Sequence, residues 1–208
     1  MGLQSKILHA VGDSVRALEQ LTSPAALSFI EKGALAIAAC FQGGGKLIIA
    51  GNGGSLCDAS HFAEELTGFF RSHRRALPAI ALSEPGHLTC VGNDIGFEHV
   101  FARALEAYGK RGDLFIGLTT SGNSPNIVLA FEKAQMLGLS TLAFLGKDGG
   151  KLKGHANLEL IIEGFETSDR IQEAHMAAIH IMIELVEELL FHYSEEELLK
   201  YMMTAVRR

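Results

Sequence analysis

In the run KLIIAGNGGSLCDASHFAEEL, Lys46 to Leu66, His61 and Glu65 stand four residues apart behind two glycines and a serine. On a helix that spacing puts both side chains on one face, a turn apart. An imidazole and a carboxylate so placed can move protons near neutral pH or share a metal ion. The same pair also occurs as a plain surface hydrogen bond, so spacing alone leaves both readings open. Glu64 falls on another face. A further histidine, His180, lies in a late segment that is apolar almost all round, where a lone histidine is ordinarily a core or interface residue. Gln172 precedes it by eight residues, or ~12 Å along a helix axis. His175 is off that register and is expected to be structural. His87, in SEPGHLTC, reads as a loop residue near a strand end.

Two loops offer complementary chemistry. GNGGS supplies Gly53, Gly54 and Ser55; TTSGNS supplies Thr119, Thr120, Ser121 and Ser124. Each follows an apolar run and precedes a helical segment. Helix N-termini present unpaired N–H groups and a positive dipole end, glycine lets the backbone approach an oxyanion, and hydroxyls add donors. Two such loops point to a terminal phosphate. Neither contains a basic residue, and neither matches a P-loop or a GxGxxG fingerprint, which favours one phosphomonoester over a nucleotide.

The elements that must position these groups follow from periodicity. KLIIAG, LPAIALS, DLFIGLT, STLAFLG and LELII are short, apolar and bounded by turn residues, with helical segments at 56–70, 96–109 and 124–137 between them. This pattern predicts an α/β fold: a doubly wound parallel five-stranded sheet with helices on both faces. KDGG at 147–150 is a turn. Before the sheet, Leu3, Ile7, Leu8, Val11, Val15 and Leu18 recur at helical spacing. Ser23-Pro24 then starts a second helix that QGGG ends. Asp169 and Gln172 have the spacing of a capping box at the start of the last long helix. The apolar residues of that helix, among them Met176, Ile181, Leu185 and Leu190, require burial on every side, which predicts an oligomer. The organisation expected is one domain over 1–208: an N-terminal helical segment 1–42, a sheet-containing core 43–190 and a short C-terminal helix 194–208.

The bulk composition is that of an ordinary globular protein, with 48% hydrophobic and 20% charged residues. A net charge of −6 disfavours nucleic acid as a partner. RSHRR, Arg71 to Arg75, is the one basic cluster and reads as a solvated loop. The three cysteines, Cys40, Cys57 and Cys90, match no disulfide or zinc framework and are expected to be reduced thiols. The first residues lack the apolar stretch of a signal peptide, and no apolar run approaches the ~20 residues that span a bilayer. The expectation is a cytoplasmic protein with no membrane partner.

Taken in order, GNGGSLCDASHFAEELTG, VGND at 91–94, TSGNS at 120–124, GKDGG at 146–150 and DRIQEAH at 169–175 resemble the bacterial phosphoheptose isomerases, also called sedoheptulose 7-phosphate isomerases, of the sugar-isomerase (SIS) domain class. The resemblance covers about residues 30–190. It implies an aldose–ketose isomerase that converts sedoheptulose 7-phosphate to D-glycero-D-manno-heptose 7-phosphate, the start of the route to the heptose of lipopolysaccharide core. It also implies a homotetramer with active sites at subunit interfaces. Carried over by motif, Ser55, Thr119, Ser121 and Ser124 would hold the phosphate, with Gly54 and Thr120 in the same loops. Asn52, Gly53, Asn93 and Asp94 would line the sugar, joined by Asp169 and Gln172. Glu65 and His180 would be the acid/base pair. Zinc, where present, would be bound by His61, Glu65, Gln172 and His180; no nucleotide or redox cofactor is implied. Phe69 stands where relatives often carry arginine. Two alternatives share the fold: a non-catalytic tetramer that binds the bacterial replication initiator, and a sugar-phosphate sensor. Retention of Asp58, Glu65, Asp169 and His180 favours the enzyme over the first. The second usually carries a DNA-binding domain, for which 208 residues leave no room.

Overall fold

A computed structural model describes residues 2–193; the helix expected over 194–208 lies outside the described residues. Helices α1 (Leu3–Glu19) and α2 (Pro24–Gln42) lead into β1 (Leu47–Gly51), α3 (Gly54–Thr67), β2 (Ala79–Ala81), α4 (Pro85–Asp94), α5 (Val100–Tyr108), β3 (Leu114–Thr119), α6 (Pro125–Met136), β4 (Ser140–Gly146), β5 (Leu158–Ile162) and α7 (Ser168–Phe191). The five strands are parallel in the order β2-β1-β3-β4-β5. The chain winds one way from β1 to β2 and the other way from β1 to β3, so the direction reverses between β1 and β3. That is where open α/β sheets hold ligands.

Strand alternation feeds two cores. Leu47, Ile49, Leu114, Ile116, Leu118 and Phe144 face the layer of α1, α2, α3 and α7. Ile48, Ala50, Phe115 and Leu145 face α4, α5 and α6. A sheet buried on both faces requires the continuous apolar runs seen in the sequence. At the edge, β5 is covered by a side chain: Gln20 Nε2 donates to Glu163 O (2.8 Å) and Gln20 Oε1 accepts from Glu163 N (2.9 Å). The amide thus imitates a neighbouring strand and blunts an edge open to aberrant pairing.

Several local expectations are met. Ser23 caps α2 by accepting from Ala26 N, with Pro24 in the first turn. Others are corrected. Residues 85–94 form α4, because Glu84 accepts from Gly86 N and His87 N (2.9 Å for the former) and Pro85 fills the first helical position. His87 is therefore helical, and its Nε2 lies 2.8 Å from Val100 O. Thr167, not Asp169, precedes α7, so Asp169 sits in the first turn and makes no capping box with Gln172. Helix α2, 19 residues long, is apolar enough by length and composition to cross a bilayer, contrary to the sequence estimate. Its Phe29, Ile30, Ala34, Ile37 and Phe41 are buried in the core. Within one chain α1 turns Leu3, Ile7, Leu8 and Val11 outward, and α7 leaves Ile181 41% exposed.

RSHRR is not simply solvated. Arg71, Ser72, His73 and Arg75 are exposed, but the Arg74 side chain is 3% exposed and pairs with Glu187 of α7. His175 is fully buried, as its off-register position predicted; its Nε2–H donates to Leu145 O at 2.8 Å, and its Nδ1 has no partner among the described residues. Burial pushes its pKa down to about 4.

Candidate active site

The two hydroxyl-rich loops leave the carboxyl ends of β1 and β3, adjacent strands at the switch point. In the first loop Ser55, 3% exposed, sits in the opening turn of α3. Gln172 reaches across from α7, and its Nε2 donates to Ser55 Oγ at 3.3 Å. Its amide lies so close over Gly54 that a Cβ added there would be 2.6 Å from it and would push the amide off Ser55. In the second loop Thr119 Oγ1 and Ser124 Oγ are 3.3 Å apart, and Thr120 Oγ1 lies 2.9 Å from Ser168 Oγ at the start of α7.

The KDGG turn proves to be part of this construction. Gly122 has φ +63°, and a Cβ there would lie 1.8 Å from Gly149 O. Lys151 N donates to Asn123 Oδ1 (3.1 Å), while Asn123 Nδ2 donates to Ser121 O (2.8 Å). The β4–β5 connection therefore buttresses the Ser121 loop directly. Asn52 and Asn126 exchange hydrogen bonds between the two loops, at 2.8 and 2.9 Å. Asn126, 2% exposed, was missed by sequence reasoning; an asparagine just after a proline at a helix start looks like ordinary capping chemistry.

The reactive cluster lies toward the other end of α3. His61 Nε2 is 3.1 Å from Glu65 Oε1 and 3.8 Å from Glu64 Oε1, so Glu64 is nearer the pair than helical spacing indicated, though its side chain is largely exposed. His180, on α7 of the same chain, brings its ring to 5.1 Å from the His61 ring, edge to face. One ligand atom from each of His61, Glu65 and His180 falls within 4.8 Å of the other two. Phe70 stacks on His180 with centroids 5.6 Å apart. The His180 pKa is held below the ordinary imidazole value by burial and by the neighbouring His61. Its neutral form is thus favoured, as a base or a metal ligand requires.

A cavity of about 650 Å³ is lined by Asp58, Asp169, Gln172 and His180, with Ser14 and Leu18 of α1 at its side. Asp58 was weighed in the sequence only as a family marker. Here one of its carboxylate oxygens is buried without a partner among the described residues, and desolvation pushes its pKa up to about 6. Asp169 is exposed at the cavity margin, 3.1 Å from Arg170 Nη2. Its pKa is held below the usual range by a hydrogen bond from the Thr167 side chain.

The remaining predicted members are placed as follows. Gln172 donates through Nε2 to Ser55 Oγ and lines the same cavity as His180. Asn93 and Asp94 are exposed at the end of α4; Asn93 Nδ2 donates to Asp94 Oδ1 (2.7 Å) and Cys90 Sγ lies 3.6 Å from Asp94 Oδ2. Among the described residues no hydrogen bond ties Asn93 or Asp94 to the loops or to Glu65.

Residues 12–146 match the SIS domain family. The chain is 58% identical over 168 residues to a phosphoheptose isomerase of Fusobacterium nucleatum, covering 80% of this chain and 86% of the relative. It is 53% identical over 159 residues to one from Vibrio cholerae, covering 76% and 83%. Its fold superposes on a phosphoheptose isomerase from Neisseria gonorrhoeae with a TM-score of 0.83 at 34% identity, and on one from Francisella tularensis with 0.84 at 32%. In both cases 90% of this chain and all of the other are covered.

Proposed function

The chain belongs to the SIS domain family, among its phosphoheptose isomerases, and from that membership we propose that it converts sedoheptulose 7-phosphate to D-glycero-D-manno-heptose 7-phosphate. The observation that carries the proposal is the meeting of His61, Glu65 and His180 on two helices of one chain, with α3 running from that cluster back to the hydroxyl-rich loops. A tetramer that only binds the replication initiator has no use for such a cluster, and the relatives named above do not favour it.

In this reading Ser55, Thr119, Ser121 and Ser124 hold the phosphate with the N-termini of α3 and α6. Gly53, Gly54 and Thr120 shape the same loops, and Asn52, Asp169 and Gln172 contact the sugar. Glu65 takes the proton from C1 of the ketose while the C2 oxygen gains one, giving an enediol. The C1 hydroxyl then releases its proton as the C1 carbonyl forms, and C2 receives a proton to complete the aldose. His180, neutral at the start, manages the protons on the two oxygens. No electron acceptor is needed.

The donors His61, Glu65 and His180 fit a zinc ion in number, type and mutual distance; Gln172, which lines the same cavity as His180 and bonds Ser55 through Nε2, would add its amide oxygen as a fourth. Zinc would act as a Lewis acid toward a carbonyl or hydroxyl oxygen of the sugar. The outward apolar face of α1, the exposed Ile181, and Asn93 and Asp94, which are exposed and make no hydrogen bond to the loops among the described residues, support a homotetramer whose sites are completed between subunits. A cytoplasmic enzyme feeding lipopolysaccharide core synthesis accords with the free cysteines and with the burial of α2 in the core.

The deciding experiment is turnover of sedoheptulose 7-phosphate in deuterated water, with and without zinc. The aldose formed should carry deuterium at C2. No turnover under either condition, or product with no solvent-derived deuterium at C2, would sink the proposal or its proton-transfer route respectively.

A further inference from the structure

The amides of Asn52 and Asn126 form a closed pair: Asn52 Nδ2 donates to Asn126 Oδ1 at 2.8 Å, and Asn126 Nδ2 donates to Asn52 Oδ1 at 2.9 Å. Asn52 follows β1 and opens the GNGGS loop; Asn126 is the second residue of α6, just past the TTSGNS loop. The pair therefore bridges the crevice between neighbouring strands at the point where the sheet reverses direction. Asn126 is 2% exposed, so each of its polar atoms costs free energy unless paired. A buried asparagine needs partners for both ends of its amide, and Asn52 supplies both.

We propose that Asn126 is a positioning residue whose clasp with Asn52 sets the gap between the two loops, so that Ser55 on one side and Thr119, Ser121 and Ser124 on the other act as a single phosphate cradle. This rests on the reading of those hydroxyls as the phosphate site. Each loop already has its own internal support. Gln172 holds Ser55, and the turn at Gly149–Gly150 with Asn123 holds Ser121. Of the side-chain bonds described, the Asn52–Asn126 pair is the one that joins loop to loop. Without it each half keeps its shape and the spacing between halves is free to relax. A displacement of a few tenths of an ångström weakens several hydrogen bonds to one phosphate together, because the donors can no longer reach it at once.

The effect should be selective for the phosphate end. Asn126→Ala should raise the dissociation constant of inorganic phosphate, measured by calorimetry or as a competitive inhibitor, by roughly tenfold or more. KM for the sugar phosphate should rise more than kcat falls. Asn52→Ala should weaken phosphate similarly, and the double variant should be no worse than the poorer single variant, since one clasp is lost in all three. Should Asn126→Ala not fold, Asn126→Ser keeps a small polar group that cannot span the crevice, and the same outcome is expected. If either folded Asn126 variant binds inorganic phosphate as tightly as the parent, or if the Asn52 and Asn126 effects simply add, the clasp is not a positioning device. A Ser121→Ala/Ser124→Ala variant separates the two claims. If it also binds phosphate normally, the cradle itself is misassigned; if it loses phosphate while the Asn126 variants keep it, only the clasp falls.

Discussion

Arg74 Nε lies 2.7 Å from Glu187 Oε1, and both side chains are almost wholly buried. The remaining guanidinium donors reach Leu66 O (2.8 Å), Gly68 O (3.0 Å) and Glu65 O (2.8 Å). Carbonyls at the C-terminal end of α3 are thus bonded by a cation, which the helix dipole also favours there; Leu66 O accepts from Leu77 N as well. Glu187 in turn accepts from the backbone N–H groups of Phe70 and Arg71, both at 3.4 Å. One ion pair fixes the end of the helix that carries Glu65 and the loop that carries Phe70 against the helix that carries His180.

Removing one partner should leave a buried charge unpaired. Arg74→Ala or Glu187→Ala should therefore each cost about 3–5 kcal/mol of stability. Replacing both residues with apolar side chains of similar volume should cost less than either single change. Denaturant unfolding of the four proteins checks this; single variants within 1 kcal/mol of the parent would show that the pair is incidental.

Glu65→Gln and His180→Gln should each lower kcat by about 10²–10⁴. Binding of inorganic phosphate should survive in both, because the hydroxyl loops are untouched. Retention of full turnover by either variant would remove that residue from the proton-transfer pair.

Zinc bound at His61, Glu65 and His180 should appear in equilibrium dialysis as one ion per chain. His61→Ala should abolish it without unfolding the protein, since His61 is partly exposed. Gln172→Ala should weaken it if that side chain is the fourth ligand. Unchanged zinc stoichiometry in His61→Ala would show that the ion, if bound, sits elsewhere.

Fully buried His175 and half-buried Asp58 tilt the pH dependence of stability in opposite senses. The folded pKa of His175, about 4, lies below its ordinary 6.5, so the unfolded chain binds the extra proton between those values. This contribution is present above pH 6.5 and is lost as pH falls toward 4, on the order of 3 kcal/mol in all. The folded pKa of Asp58, about 6, lies above its ordinary 3.8, so the folded chain binds more protons in that window and stability falls as pH rises through it. Asp58→Asn should therefore make stability rise more steeply with pH from 4 to 6, and His175→Gln should flatten or reverse the rise. Equal slopes in parent and variants, from urea melts at each pH, would refute both assignments.

If α1 lies in the interface of the proposed tetramer, Leu8→Glu/Val11→Glu on its outward face should dissociate that tetramer, as read by light scattering. Activity should fall with it if Asn93 and Asp94 serve a neighbour's site. A fully active monomer would show that one chain holds a complete site.

Much of the fold was legible because sheets buried on both faces demand continuous apolar strands, and helices demand their own period. All five strands, the long helices and the placing of both hydroxyl loops at one sheet edge follow from that. Helix α4 was hidden because Pro85-Gly86 reads as a turn unless the Glu84 side chain is known to cap the two following N–H groups. Of the site, the Glu65–His61 pair was readable from its four-residue spacing, and the hydroxyl loops from their composition.

What no local pattern could supply was which distant groups meet. Arg74 has the sequence environment of a solvated loop, yet folding α7 against α3 buries it beside a glutamate 113 residues away. Asn126 has the environment of a helix start, yet the reversal between β1 and β3 sets it against Asn52. Gln172 and His180 share a helix, yet its length directs one to the loops and the other to the cluster. Residue type and spacing thus determined the chemistry on offer and the elements carrying it. The packing of α3, α6 and α7 around the switch point decided its partners, because contacts between elements depend on crossing geometry that a linear period does not encode.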